Sequence, residues 1–202
     1  MAAVVIASKN KNKVREIKQL LSGEALEVLS LEDFSGAPDV VEDGSTFADN
    51  ALKKAKAIAR FTGLTALADD SGLEVDYLKG QPGVYSARFA GISATDGENN
   101  AKLLKLMEGV PREQRTARFR CSIALVSRFG LIECIDGTCE GLILTEEKGT
   151  GGFGYDPLFL VPDLRLTFAE LSDGDKNRIS HRGKALRAAL PVIQRWLDAG
   201  QI

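Results

Sequence analysis

The sequence predicts an α/β protein, and three observations carry that reading. Short apolar runs of strand length alternate with helix-period segments through the first 75 residues. Two long strand-like runs, 117–128 and 131–145, then meet at Phe129-Gly130 as a hairpin. The last third returns to helical periodicity. The chain has 202 residues, 44% hydrophobic and 27% charged, enough for one large domain or two small lobes. No linker, repeat or low-complexity tract interrupts it, so residues 1–202 are read as a single domain.

Ala3 to Ala7 reads as the first strand, followed by the basic turn Ser8, Lys9, Asn10, Lys11, Asn12 and Lys13. Val14, Ile17, Leu20 and Leu21 then mark one face of a helix that Ser8 or Asn10 can cap. Cations at a helix N-terminus oppose its macrodipole unless an anion sits there, so this turn is a candidate phosphate site. The plain alternative is a solvated basic turn. Leu26 to Ser30 reads as a second strand, and an acidic loop ends with Glu42, Asp43 and Gly44. Ser45 or Thr46 caps the next helix, with Asp49 completing a capping box. Phe47, Ala51, Ala55 and Ile58 form its buried face, and Asn50 with Lys53 a polar stripe.

Leu64 to Ala68 is an apolar run that stops at Asp69 and Asp70, after which Ser71 and Gly72 turn the chain. A strand tip carrying paired carboxylates suits a hard divalent cation such as Mg²⁺. An Asp-rich turn with no ligand reads equally well from spacing alone. Beyond it, Gly80 to Gly83 signals a turn, Val84 to Phe89 reads as extended, and residues 95–108 as a helix. Gly149 to Pro157 holds four glycines with Phe153 and Tyr155 between them, a loop whose backbone can approach a flat ring closely. Lys176 to Ser180 leads into His181 and Arg182 and a final helix, where Pro191 is expected to kink the axis.

The net charge of −2 gives no general attraction to nucleic acid or anionic lipid. No apolar run approaches the ~20 residues of a membrane span. The N-terminal residues lack a secretory pattern. Cys121, Cys134 and Cys139 have no metal-ligand spacing and read as strand residues of a reducing, cytoplasmic protein. Acids at Glu42, Asp69 and Asp70, cations at Lys13 and Lys53, and the aromatic loop at Phe153 together point to metal-assisted chemistry on a nucleoside phosphate.

These features fall in an order that resembles the inosine triphosphate pyrophosphatase family. The resemblance spans nearly the whole chain. It rests on Ser8, Asn10 and Lys13; on Thr46-Phe47, Asn50-Ala51 and Lys53; on Ala68 to Leu73; on Gly83 to Arg88; on Gly149 to Pro157; and on Ser180 to Gly183. Ser8 and Lys9 depart from the common Thr and Gly of that pattern. The resemblance implies an elongated mixed sheet with flanking helices, in two lobes around a substrate cleft, and a homodimer. It implies Mg²⁺-dependent cleavage of ITP, dITP or XTP to monophosphate and pyrophosphate. By motif position, Ser8 to Lys13 and Lys53 bind the triphosphate. Asp69 is general base and metal ligand, Glu42 (or its neighbour Asp43) a second ligand, Asp70 contacts metal or substrate, and Ser71 contacts substrate. Phe153, Gly154, Tyr155, Asp156, Lys176, His181 and Arg182 hold base and sugar. Alternatives are a pyrophosphatase preferring pyrimidine or modified bases, and a non-catalytic nucleotide sensor. The donor-only Arg182 is expected to read the oxygen at purine position 6 and reject the adenine amino group.

Overall fold

The computed structural model describes residues 2–202. The elements are β1 (Ala3–Ile6), α1 (Lys11–Leu21), β2 (Glu27–Ser30), α2 (Phe47–Thr62), β3 (Thr65–Val75), α3 (Asp96–Leu106), β4 (Thr116–Val126), β5 (Ile132–Ile143), β6 (Phe159–Val161), β7 (Leu166–Thr167), α4 (Asp173–Ile179) and α5 (His181–Asp198). The seven strands form one sheet in the order β2-β1-β3-β4-β5-β6-β7. β1 pairs in parallel with β2 (Val4 opposite Val28) and with β3 (Val5 opposite Ala66), while β6 is antiparallel to β5 and to β7. The expected mixed α/β sheet with flanking helices is thus observed.

The chain divides into two compact units. The first comprises residues up to Asp70, Cys121–Gly137 and Arg182–Ile202. Its sheet is apolar on both sides, as parallel strands covered by helices require. Alternate residues go to opposite cores because strand side chains have a period of two. Val4, Ile6 and Leu67 pack with Ile17 and Leu21 of α1 and with Ala185, Ala189, Ile193 and Trp196 of α5. Val5, Ala66 and Ala68 pack with Ala51, Ala55 and Ile58 of α2. Asn10 caps α1, its Oδ1 accepting from Asn12 and Lys13 N–H at 3.0 and 3.2 Å. Thr46 and Asp49 form the expected capping box on α2, which ends at Gly63 with φ 67°.

The second unit comprises Ser71–Arg120 and Thr138–His181. Leu73 and Val75 pack with Leu103 and Met107 of α3 and with Phe119, Phe159 and Phe168. Phe119 is the hub of that core. Its ring lies 4.7 Å from Phe159 and 5.6 Å from Phe168.

Two expectations about elements are corrected. β3 does not stop at Ala68; it runs on through both acids, Ser71 and Gly72 to Val75. The carboxylates are tolerated inside a strand because both find cationic or amide partners, described below. Val84 to Phe89 is not extended, since Gly83–Arg88 forms a 3-10 turn. Ser86 fixes it locally, its hydroxyl donating to Gly83 C=O and accepting from Leu73 N–H at 2.9 Å. Pro191 lies inside the span of α5. The three cysteines lie on β4 and β5, as expected.

Candidate active site

The alternation that builds the first unit's two cores also separates the two acids. Leu67 faces α1 and α5, and Ala68 faces α2. Continuing the period of two, Asp69 projects on the Leu67 side and Asp70 on the Ala68 side. Asp69 is fully buried, and its Oδ2 lies 3.0 Å from Lys13 Nζ of α1 and 3.1 Å from both Nε and Nη2 of Arg182 in α5. The same guanidinium pairs through Nη1 with Glu16 of α1. Burial pushes the Asp69 carboxyl up, but Lys13, Arg182 and Lys54 outweigh it and hold the group well below the usual carboxylate range. Arg182 is correspondingly stabilised in its charged form by Asp69 and Glu16 against its own burial.

On the other side, Asp70 Oδ2 accepts from Asn50 Nδ2 at 3.0 Å. Asn50 Oδ1 in turn accepts from Gly44 N–H at 2.8 Å, tying the acidic loop to α2. A Cβ on Gly44 would lie 2.7 Å from that oxygen, so the close approach requires glycine. Lys54 Nζ donates to Glu42 Oε1 and to the Asp69 carbonyl, both at 2.8 Å, and lies 3.7 Å from Asp70 Oδ1. Burial raises the Asp70 carboxyl; Lys54 and Lys13 pull it down, Glu42 pushes it further up, and the balance is upward. Lys54 stays protonated because the three acids outweigh its burial.

The expected lysine of this site was Lys53. In the structure Lys53 is half-exposed and pairs with Asp43, whereas Lys54 is buried among the acids. The reason is helical geometry: Lys54 lies four residues after Asn50, on the face that also buries Ala51, Ala55 and Ile58. The i,i+4 spacing from Asn50 was the signal available in the sequence. Glu16 carried none beyond its place beside the buried Ile17.

The basic turn divides likewise. Lys13 turns to Asp69, while Lys9 pairs with Asp39 and Lys11 Nζ lies 3.7 Å from Glu32. Ser8, Lys9 and Lys11 line a cavity of about 510 Å³ with Val14, Leu31 and Phe34. Ser8 Oγ accepts from Asn10 N–H at 3.2 Å. Asn10 is a helix cap, so two of the α1 N–H groups proposed for an anion are already bonded; Asn12 is half-buried.

Among the described residues no three His, Cys, Asp or Glu side chains are grouped to hold a metal on their own. The donors of this stretch are nonetheless hard oxygens, and Lys54 already gathers Glu42, Asp70 and the Asp69 carbonyl about a positive charge. That chemistry fits Mg²⁺, which proteins hold with one or two carboxylates and substrate phosphates.

The second unit supplies the aromatic part. Phe153 is half-buried, and Lys176 Nζ sits 4.7 Å from its ring centroid. Lys176 is itself buried and pairs with Asp156 Oδ2 at 2.7 Å. The same carboxylate oxygen accepts the Phe153 N–H at 2.9 Å. Tyr155 is buried and donates its hydroxyl to Ser86 C=O at 2.8 Å; burial raises that phenol strongly. His181 is buried with its ring stacked 4.7 Å from Phe119. Ser71 follows Asp70 on β3 and is half-buried. Of the residues expected to hold a base, Phe153, Gly154, Tyr155, Asp156 and Lys176 are therefore brought together. The Arg182 guanidinium pairs with Asp69 and Glu16, two carboxylates of its own unit.

Among the described residues no helix is long and apolar enough to cross a membrane. The profile of the Ham1 family matches residues 4–192. The chain is 60% identical over 192 residues to a dITP/XTP pyrophosphatase of Desulforamulus reducens, covering 95% of this chain and 96% of that protein. It is 56% identical to a dITP/XTP pyrophosphatase of Geobacter sulfurreducens over 92% and 94% of the two chains. A solved HAM1 protein from Coxiella burnetii is similar with a TM-score of 0.88 at 43% identity, covering 96% of this chain and 100% of that one. The resemblance read from the ordered motifs is borne out.

Proposed function

Because this chain belongs to the Ham1 family, we propose that it hydrolyses non-standard purine nucleoside triphosphates, ITP, dITP and XTP, to monophosphate and pyrophosphate. Two relatives that match nearly end to end are named for dITP and XTP. The observation that carries the reading here is the buried charge cluster around Asp69 and Asp70, where three cations and four acids meet. Ion pairs of that number are costly to bury, and breaking one is costlier still, so their concentration at one stretch of strand favours a catalytic role.

In this reading Lys13 and Lys54 offset the charge of the triphosphate. Glu42, Asp69 and Asp70 would hold Mg²⁺, which would supply charge neutralisation and a more acidic water. Asp69 takes the proton of the attacking water, as its ionised state permits. Phe153 stacks on the base, with Lys176 and Asp156 behind it. Attack at the α-phosphate releases pyrophosphate, so ¹⁸O from labelled water enters the monophosphate. The reading includes a cytoplasmic homodimer, supported by the exposed apolar side chains of Tyr85 and Ile92 in the second unit.

The test is a panel of nucleoside triphosphates assayed for pyrophosphate and orthophosphate, with Mg²⁺ and with a chelator. Pyrophosphate from ITP, dITP and XTP, lost on chelation, is expected. Orthophosphate as the first product would refute the proposal, as would faster turnover of pyrimidine triphosphates, and binding without turnover would indicate a sensor.

A further inference from the structure

The Gly149–Pro157 loop carries Phe153 between two glycines, Gly152 and Gly154, at φ 71° and 62°. Such a segment has no intrinsic reason to hold one conformation, since glycine is the least restricted residue. A ring that is to serve as a platform must be fixed from outside. The second unit does this on both sides of Phe153. Its own N–H is bonded to Asp156. The following residue is bonded at both ends by α3: Gly154 N–H donates to Asp96 Oδ2 at 2.7 Å, and Gly154 C=O accepts from Asn100 Nδ2 at 3.2 Å.

Asn100 is 3% exposed, and its Nδ2 also donates to Glu147 Oε1 at 2.8 Å. Both neighbours are acceptors, so the amide orientation is dictated: the nitrogen must face them. Its Oδ1 then has no partner among the described residues. A buried amide oxygen without a bond costs stability. Leaving it so is consistent with a side chain kept for its two donors. Asp96 and Asn100 lie four apart on α3, so one helix face presents an acceptor and a donor to one residue, Gly154. Thr95 caps the helix and Leu103 and Met107 anchor it in the core, so this face is rigid.

We infer that Asn100 and Asp96 are positioning residues that set the Phe153 ring for stacking on the substrate base. The inference rests on the proposed role of Phe153 as the base platform. Asn100 carries more of the effect than Asp96, because its bonds are buried whereas Asp96 is exposed to water and salt. Both residues act on the platform through Gly154, so the effect is expected in binding rather than in the chemical step.

The experiment is steady-state kinetics with ITP and Mg²⁺ on Asn100→Ala, Asp96→Ala, Asp96→Asn, Phe153→Ala and the Asn100→Ala/Phe153→Ala double variant, with thermal melts alongside. Asn100→Ala should raise KM about tenfold with kcat within about twofold, the pattern of lost binding rather than lost chemistry. Asp96→Ala should raise it by a few-fold, and Asp96→Asn, which keeps an acceptor oxygen, should restore it. In the Phe153→Ala background, Asn100→Ala should add nothing, because its route to the substrate is gone. If Phe153→Ala raises KM but Asn100→Ala and Asp96→Ala do not, the positioning inference fails and the base reading stands. An equal effect of Asn100→Ala in both backgrounds also overturns it. If Phe153→Ala leaves KM unchanged, the base reading itself fails and takes this inference with it. Should Asn100→Ala not fold, the exposed Asp96 pair decides the outcome.

Discussion

Replacing Arg182 with methionine removes one charge from a fully buried group while keeping much of its volume. In the native protein the guanidinium lies 3.1 Å from Asp69 through two nitrogens and also pairs with Glu16. Asp69 keeps Lys13 at 3.0 Å, but burial is the largest influence on it and pushes its carboxyl up. Breaking a buried pair from one side costs about 3–5 kcal/mol. For a chain of this length that lowers Tm by roughly 2–4 °C per kcal/mol, or about 6–20 °C at pH 7. The pH dependence has a definite sign. Asp69 is depressed in the folded wild type, so its contribution is present above the unfolded carboxyl value of ~3.9 and is lost as pH falls through the lower folded value. Without Arg182 the folded value rises. The variant's deficit against wild type is then full above the variant's own folded value and shrinks only as pH falls below it, where a protonated Asp69 no longer needs the missing cation. Chemical denaturation of both proteins at pH 7 measures the full deficit. A deficit under about 1 kcal/mol there would refute the assignment of Arg182 to the Asp69–Glu16 pair. The same variant decides the base question: with Arg182 held by carboxylates, its loss should lower kcat/KM for ITP and ATP by similar factors. A collapse of the ITP/ATP ratio alone would restore Arg182 as the reader of purine position 6.

Lys54→Met should reduce kcat/KM about 100-fold or more, because it removes the charge that gathers Glu42, Asp70 and the Asp69 carbonyl, while the half-exposed Lys53→Met should stay within a few-fold; equal effects on the two would contradict the placement of Lys54. Asp69→Asn should slow turnover by on the order of 10³-fold with pyrophosphate release as the readout, and near-normal turnover would remove Asp69 from the chemistry. Gly152→Ala should cost at least about 2 kcal/mol, since the added Cβ would lie 2.0 Å from Asp156 Oδ2 at a φ of 71°. Gly154→Ala meets open space and should cost only the left-handed backbone penalty of ~1–2 kcal/mol, so denaturation midpoints that rank the two the other way would count against this loop geometry.

The sequence by itself determined the elements whose signals are local. α1 with its Asn10 cap, the Thr46–Asp49 box and the 129–130 reversal each depend on residues a few positions apart. The ordered motifs also determined the family, and with it the type of sheet. What only the tertiary structure decided were the partners of charged groups. Asp69 and Asp70 read as a pair because they are adjacent, but a strand sends neighbours to opposite faces, so one meets Lys13 and Arg182 and the other Asn50 and Lys54. Adjacent acids also read as the end of a strand, because the pairs that make them tolerable inside one come from 16 to 113 residues away, as with Lys54 and Arg182. Lys53 and Lys54 are one residue and about 100° apart on α2, and the position of the sheet selects which is buried. Arg182 looked like a base reader from its place in a motif. The tertiary structure adds its carboxylate partners, because a desolvated guanidinium pairs with the nearest carboxylates, and those are brought to it only when α1, β3 and α5 pack together.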